Sequence, residues 1–518
     1  MITREQNTNH QLNMSTLIGK LPLPVLLYIL AVVVPVRFNV GPLSLSGVRA
    51  LLLVMIVPLT IKLFIGKYGR ILWTDVLFYL YILWTLVSLS INNPDVVVET
   101  VGSTAVEFLG GYVLARAYIR TPEAFAALYR LLIIIVCCTL PFAIYETLTG
   151  HPIIMDFIRK LPGLQTEADV RNPARMGLER VQVVFAHPIH YGLFCSVIFA
   201  PAFVGFKGIY STPKRYITSL IIGLCVFFSL SSGALLSMLL QLWFVFWAWV
   251  FRTIKARWFL LLGLLALAYV AIDILSNRTP MRVFMTYATF SPHNAYWRGL
   301  IFEHGIQNVW DNPIFGLGLN DWVRPWWMHS SSIDNFWLLA AIQFGIPGFL
   351  LLSGGFLYPI FRIGSRNFES DLPLWRMRRA WMFTFVGLTF TLSTVAVWAT
   401  IYSFVFFLFG AGMWFITAKP NEGTETPDLK TIRQSPVMRR SMAEGLYARK
   451  SKTNAAPKTD ANDTARKTLS PAIRRDTNPV FTRFPVNPRS DTSLQSSWAR
   501  RTQARGEKRD DQENTEED

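Results

Sequence analysis

The sequence predicts an all-α polytopic membrane protein: about twelve transmembrane helices, two long outer-face loops and a disordered cytoplasmic tail. Three observations carry this. Hydrophobic residues make up 52% of the 518-residue chain against 16% charged. Apolar runs near the ~20 residues that cross a bilayer recur as far as about residue 418. Lysines and arginines gather in alternate connections between those runs.

Taken in order, the expected spans are 22–38, 45–65, 73–91, 97–116, 124–147, 184–206, 216–231, 234–251, 258–275, 336–361, 381–398 and 400–417. Residues 1–20 form a polar cytoplasmic segment. No small-residue cleavage pattern follows the first apolar run, so that run is expected to be a retained helix. With the N-terminus cytoplasmic, the inner connections hold Lys62, Lys67, Arg70, Arg116, Arg120, Lys207, Lys214, Arg215, Arg252, Lys255 and Arg257, then Arg362, Arg366, Arg376, Arg378 and Arg379. That distribution satisfies the positive-inside bias throughout, which implies a multi-pass membrane protein with both termini cytoplasmic. The outer connections are then Asn39–Ser44, Asn92–Asp95, a loop over about 149–183, the turn Ser231–Gly233, and a loop over about 276–334. The membrane domain is expected over 21–418.

From 419 to 518 the chain is rich in Pro, Ser, Thr, Asn and basic residues, with too little apolar surface to offset ordering entropy. A disordered tail is expected. Its clusters Arg439-Arg440, Arg449-Lys450 and Arg474-Arg475 suit anionic lipid headgroups, whereas the acidic end Asp510–Asp518 favours a merely solvated tail. The formal net charge is +17, but much of the excess flanks spans, so nucleic acid is not an expected partner. Cys137, Cys138, Cys195 and Cys225 lie inside apolar runs, which excludes a disulfide framework or a cysteine zinc site.

Outer loops normally hold few cations, yet the first contains Arg159, Lys160, Arg171, Arg175 and Arg180, and the second Arg278, Arg282, Arg298 and Arg324. Guanidinium groups suit bidentate contact with phosphate, so a phosphate-bearing ligand at the outer face is expected. The plainer alternative is pairing with Asp156, Glu167, Asp169, Glu179, Glu303 or Asp311. In the second loop, helical spacing from Arg298 to Trp310 predicts a short amphipathic helix ended by Asn312-Pro313. Glu303 does not share a face well with Arg298, which leaves Arg298 to point elsewhere. Trp322, Trp326 and Trp327 suit either an interfacial belt or a platform for sugar rings. His329 precedes Ser330-Ser331-Ser332, and Asp334-Asn335 opens an apolar run capped by Asp or Ser. An imidazole there, with an unperturbed pKa of about 6.5, suits proton abstraction from an attacking hydroxyl. A Ser332, His329, Asp334 nucleophilic set can also be drawn, without geometric support from spacing alone. His187-Pro188-Ile189-His190 opens the sixth span; no HExxH or paired-carboxylate signature accompanies it, so no metal is expected. Intramembrane Asp75, Glu99, Glu107, Glu146 and Asp273 need partners; Glu99 and Glu107 fall roughly on one face and suit either a polar cavity or helix pairing.

Arg298 with its following helix, Asn312-Pro313-Ile314-Phe315-Gly316-Leu317-Gly318-Leu319, and His329 before a run containing Gly345-Ile346-Pro347-Gly348 together resemble the O-antigen ligase/polymerase (Wzy/WaaL-like) family. The variant Ser330–Trp337 is more like its ExoQ-like exopolysaccharide polymerases. Arg180 with Phe185-Ala186-His187-Pro188 is similar to the region before the sixth span of that family, and the tail is not covered. The resemblance implies a membrane glycosyltransferase that polymerises undecaprenyl-pyrophosphate-linked oligosaccharide repeat units at the periplasmic face. Transfer would be inverting and metal-independent, with no cofactor. It implies His329 as activator of the acceptor hydroxyl, and Arg180 and Arg298 as stabilisers of the departing diphosphate. Arg175, Arg282, Trp322, Trp326, Asp334, Asn335 and His187 are the expected substrate contacts. Many relatives carry arginine in the turn after the seventh span; this chain has Leu230-Ser231-Ser232-Gly233-Ala234, and Arg175 or Arg282 is the expected substitute. Expected partners are the lipid-linked oligosaccharide, membrane lipids, and chain-length regulator and export proteins. The rival readings are a ligase with a lipid or protein acceptor, a transporter of an anionic substrate, and a non-catalytic assembly factor.

Overall fold

A computed structural model describes residues 21–40, 43–168, 170, 173–287 and 292–420. The N-terminal segment 1–20 and the tail beyond Pro420 lie outside the described residues.

The chain begins with α1 (Leu23–Val33), a hairpin of β1 (Arg37–Val40) and β2 (Leu43–Ser46), then α2 (Gly47–Phe64) and α3 (Trp73–Asn92). Helix α4 (Val97–Ala105) runs through a π-helical turn (Val106–Gly110) into α5 (Gly111–Tyr118). Next come α6 (Pro122–Thr149), α7 (Ile153–Arg159), α8 (Pro188–Ala200) with a π turn Pro201–Gly205, α9 (Thr212–Phe228), α10 (Ser232–Val250) and α11 (Arg257–Leu275). The second long connection carries α12 (Pro280–Tyr287) and α13 (Pro292–Asp311), followed by α14 (Phe336–Gly364), α15 (Leu372–Thr391) and α16 (Ala399–Gly410).

Among the described residues, 9 helical segments are long and apolar enough to cross a membrane. The other three expected spans correspond to α1, α9 and α15. The all-α polytopic expectation is therefore met, with shifted ends. Helix α15 starts at Leu372, because Arg376, Arg378 and Arg379, expected in a connection, continue the helix and lay their guanidinium groups over Trp375, Phe368 and Phe383 or on Ile363, Gly364, Arg366 and Lys207 carbonyls. The Asn39–Ser44 connection is part of a two-stranded hairpin, with Arg37 opposite Ser46. Helix α13 begins at Pro292, a turn and a half before Arg298. Glu99 is exposed while Glu107 is buried, since the π turn shifts the helical register between them.

Helix ends follow local chemistry. Ser46 caps α2 by accepting from the Arg49 N–H, Thr121 caps α6 with Pro122 in the first turn, and Gly150 ends α6 at φ 73°. The interior is aromatic: Phe78, Phe108, Phe356, Phe406 and Phe409 meet edge-on or stacked. Arginine and carboxylate pairs tie the membrane helices together. Asp75 accepts from the Tyr112 hydroxyl at 2.5 Å and lies 3.6 Å from Arg116, whose guanidinium also reaches the Tyr68 and Arg70 carbonyls. Side chains facing lipid stay apolar, and α11 is almost entirely uncovered by protein.

The second long loop is docked onto a break in α14. Gly345 there has φ 69° and ψ −176°, a region open only to glycine, and Pro347 removes an N–H. The carbonyls this frees are met from outside the helix. Leu317 N donates to Ile342 O and Gly318 N to Gln343 O, each at 2.8 Å, while Trp84 Nε1 donates to Phe344 O at 2.8 Å. In return Ile346 N donates to Pro313 O at 2.8 Å. A Cβ on Gly345 would run into Ile314 O. The segment Pro313–Gly318 is thus a plug for the kink, and it fixes where α13 and Arg298 stand.

Candidate functional site: a buried arginine cluster at the loop end

The hairpin, the 150–187 connection, the Leu230 turn, the α12–α13 loop and the start of α16 all meet at one end of the bundle. Arg37 pairs with Gln165 across a bridge, Arg175 reaches Leu230, Asn93 binds Asn320, and Phe336 N donates to Leu392 O. The opposite end gathers the connections rich in lysine and arginine, where Arg116 meets Tyr68 and Arg376 meets Lys207.

Three cations of the two long loops are spoken for. Arg159 pairs with Asp156 at 2.7 Å, Arg282 with Glu303 at 3.5 Å, and Arg324 with Asp321 at 2.5 Å. Lys160 and Arg278 are exposed, and Arg171 lies outside the described residues. Arg175, Arg180 and Arg298 remain, and they sense one another electrostatically. Burial pushes the Arg298 guanidinium below its usual range; Asp334 draws it back up and Arg175 pushes it down again. Burial, with Arg175 beside it, pushes Arg180 down to about 10, and burial lowers Arg175 as well. All three stay charged at neutral pH.

Counter-charge is scarce. Asp334 Oδ2 lies 3.9 Å from Arg298 Nε, too long for a hydrogen bond, and its side chain is 47% exposed against 10% for Arg298. Arg298 Nε and Nη1 and Arg180 Nε are buried without hydrogen-bond partners. Unpaired charge in a dry setting costs several kcal/mol in real proteins, on the order of what a bound anion would offset.

The framework holds these groups without neutralising them. Arg180 sits on a segment pinned on both sides: Thr147 Oγ1 donates to Glu179 O, Val181 N to Phe228 O, and Glu146 accepts from Gln182 N and Val183 N at 2.7 and 2.9 Å. Arg175 donates from Nη1 to Leu230 O at 2.7 Å. It therefore occupies the neighbourhood of the turn after the seventh span, whereas Arg282 is drawn off to Glu303. All the non-glycine residues with left-handed backbone among the described residues adjoin this region: Met176 next to Arg175, Val183, Leu230, and Ala399 at the start of α16. Such strain clusters at functional sites.

The other expected site residues divide. His329 is exposed and forms no hydrogen bond to another described residue; it stands on the stretch leading to Asp334. Ser332 Oγ donates to Asp334 Oδ1 at 3.3 Å, so the chain Ser332, His329, Asp334 is not assembled. Asn335, rather than Asp334 or a serine, caps α14 by accepting from Leu338 N at 3.1 Å, and it is buried. Trp322 is buried too, with Nε1 donating to Ser331 O at 3.0 Å; its ring is loop core and cannot present a face to a sugar. Trp326 is 87% exposed. Asn308 clamps the loop to α13 through Val323 N and O at 2.8 Å each.

His187 caps α8, its Nδ1 accepting from Ile189 N at 3.1 Å. Burial, then Arg180 and Arg175, push its imidazole down to about 4, so it is neutral at pH 7. The unfolded chain takes up a proton near pH 6.5 and the folded protein does not. Thermal stability is therefore expected to fall as pH drops from 6.5 toward 4, with no contribution above 6.5. Asparagine keeps the cap, so His187→Asn should flatten that part of a melting-temperature profile.

Residues 217–353 match the family model described as O-Antigen ligase. No curated protein matches the chain. The matched segment runs from α9 into α14 and takes in Arg298, His329 and Asp334, while Arg175, Arg180 and His187 lie before it. Joined to the bundle of membrane-length helices, that match means the chain carries, across residues 217–353, the domain of the O-antigen ligase/polymerase family of membrane proteins.

Proposed function

We propose that this protein polymerises undecaprenyl-pyrophosphate-linked oligosaccharide units by inverting, metal-independent glycosyl transfer, with the loop end facing the periplasm. One observation carries the reading: buried Arg298 and the part-buried Arg175 and Arg180 act on one another electrostatically, and the carboxylate ion-paired with them among the described residues, Asp334, is half-exposed and 3.9 Å from Arg298. A diphosphate supplies the missing charge. In the reaction the acceptor hydroxyl oxygen bonds to the anomeric carbon as that carbon's bond to the diphosphate breaks. The hydroxyl proton passes to a ring nitrogen of His329, and the electron pair leaves on the diphosphate. Arg175, Arg180 and Arg298 then bind the departing group more strongly than the ground state, because its charge grows as the bond breaks.

Periplasmic orientation of the loop end is supported by the lysines and arginines at the opposite end. Against a transporter stand the roles of the intramembrane carboxylates. Asp75 and Glu107 are paired with Arg116 and Arg49, and Glu146 accepts from backbone N–H groups, so each ties chain segments together. A second reading, ligation of the glycan to a lipid or protein hydroxyl, is favoured by the family description itself.

Glycolipid analysis of a strain lacking the protein tests the proposal. Carrier-linked repeat units should accumulate while polymer disappears. Accumulation of carrier-linked polymer instead would assign ligation, and an unchanged glycolipid pool would overturn both. In proteoliposomes a polymerase lengthens the chain on its own repeat unit alone, whereas a ligase is idle until a separate acceptor is added.

A further inference from the structure

Where α11 joins the bundle, at the end rich in lysine and arginine, two further guanidinium groups stand together. Trp375, Arg379 and Phe383 follow one another at four-residue spacing on α15 and so share one face. The Arg379 guanidinium lies over both rings, 4.9 Å from the centroid of Trp375 and 5.1 Å from that of Phe383. Arg257 opens α11 and lies 6.0 Å from the ring of Trp258, which is itself 5.7 Å from that of Phe383. Trp247 on α10 fixes this corner by donating from Nε1 to Arg257 O at 3.0 Å.

Aromatic faces hold a guanidinium without cancelling its charge. At the same end Arg215, Arg366, Arg376 and Arg378 place N–H groups on the carbonyls of Phe203, Ala418, Lys207 and Ile363. Arg379 donates to no described residue, and Arg257 donates only to Arg252 O, at 3.4 Å. Nε of each is buried without a partner. The charges that act on Arg379 are those of Arg257 and Arg378, with no carboxylate beside them. Among the described residues, neither Arg257 nor Arg379 forms an ion pair.

Beyond this corner α11 leaves the bundle. Leu261 is the one residue of the helix that protein buries. Leu264 and Leu265, one turn further along the same face, are already 45% and 48% exposed, and Ala268 after them is exposed too. An apolar cleft therefore opens between α11 and the pair α10 and α15, and its narrow end carries uncompensated positive charge. Basic pockets between membrane helices suit anionic lipid headgroups, and a guanidinium fork matches two phosphate oxygens at once.

We propose that one anionic phospholipid, from the leaflet at this end, seats its phosphodiester between Arg257 and Arg379 and lays its acyl chains in the cleft along α11. The lipid supplies the counter-charge that the chain lacks there. It also ties α11, which leads into the α12–α13 loop, to α10 and α15. The site is separate from the arginine cluster at the loop end and does not depend on the glycosyl-transfer reading.

Native mass spectrometry of the purified full chain tests it, with phosphatidylglycerol as the anionic probe, phosphatidylcholine as the zwitterionic control and inorganic phosphate as the free anion. One phosphatidylglycerol should bind at least about tenfold more tightly than phosphatidylcholine. Inorganic phosphate at the same concentration should not displace it; displacement would show that phosphate alone is recognised and would overturn the lipid assignment. Arg257→Gln combined with Arg379→Gln should weaken phosphatidylglycerol binding about tenfold or more. Lys67→Gln combined with Arg120→Gln removes two exposed cations of the same end and should weaken it about threefold or less, since exposed charges are screened. Equal losses from the two pairs, or equal binding of the two lipids by the wild type, would reduce the site to general attraction by a basic surface and overturn it. Photolabelling of the wild type gives a reading that needs no variant to fold. Phosphatidylglycerol with a diazirine in its acyl chain should mark Trp258 to Leu265 about fivefold more than phosphatidylcholine carrying the same chain; equal labelling overturns the proposal.

Discussion

Arg298→Ala is expected to slow glycan transfer by about 10²- to 10³-fold, the effect typical of removing one preorganised donor to developing negative charge. The same change should raise the melting temperature of the ligand-free protein. Arg298 is 9% exposed, its Nε and Nη1 lack partners, and its nearest carboxylate is 3.9 Å away. Deleting it removes an uncompensated buried charge. A residue kept for packing would show the reverse, with stability falling and rate following. Arg298→Lys should recover only part of the rate, because an ammonium lacks the planar fork that meets two phosphate oxygens at once. Carrier-linked glycan consumption in proteoliposomes, measured beside thermal unfolding, reads both quantities. Wild-type turnover in Arg298→Ala would remove the cluster from the mechanism.

His329→Ala should cut the rate by about 10²- to 10⁴-fold, the range for loss of a general base. Its effect on stability should be small, since His329 is exposed and bonded to no described residue; surface replacements of that kind stay within about 0.5 kcal/mol. Pyrophosphate affinity should be unchanged, because the imidazole is assigned to the acceptor. A matching loss of pyrophosphate binding would move His329 to the leaving-group side. Full activity would leave the reaction without its proposed base.

The spans were legible because a bilayer demands a long apolar run, and that demand is written locally. The hairpin was not, since four residues per strand around Gly41-Pro42 carry no such signal. Helix α12 and the first turn of α13 were missed for the same reason: Pro280–Tyr287 is short, and Pro292-His293-Asn294 is polar. At the site, sequence pointed to outer-loop arginines as a class but could not sort them. Arg282 and Arg298 look alike on paper, yet Glu303 turned out to face the first. Trp322 and Trp326 were likewise equivalent until one proved buried.

The left-handed residues around the cluster bear on when the work of catalysis is done. Backbone at Met176, Val183, Leu230 and Ala399 rests in a conformation worth on the order of 1–3 kcal/mol each against it, and the surrounding bundle keeps it there. A soluble enzyme often assembles its charge-stabilising groups by closing over the substrate. For the proposed transfer, by contrast, the fold itself holds the charge-stabilising groups in place, so the binding energy of the proposed lipid-linked donor is left for the bond to be broken.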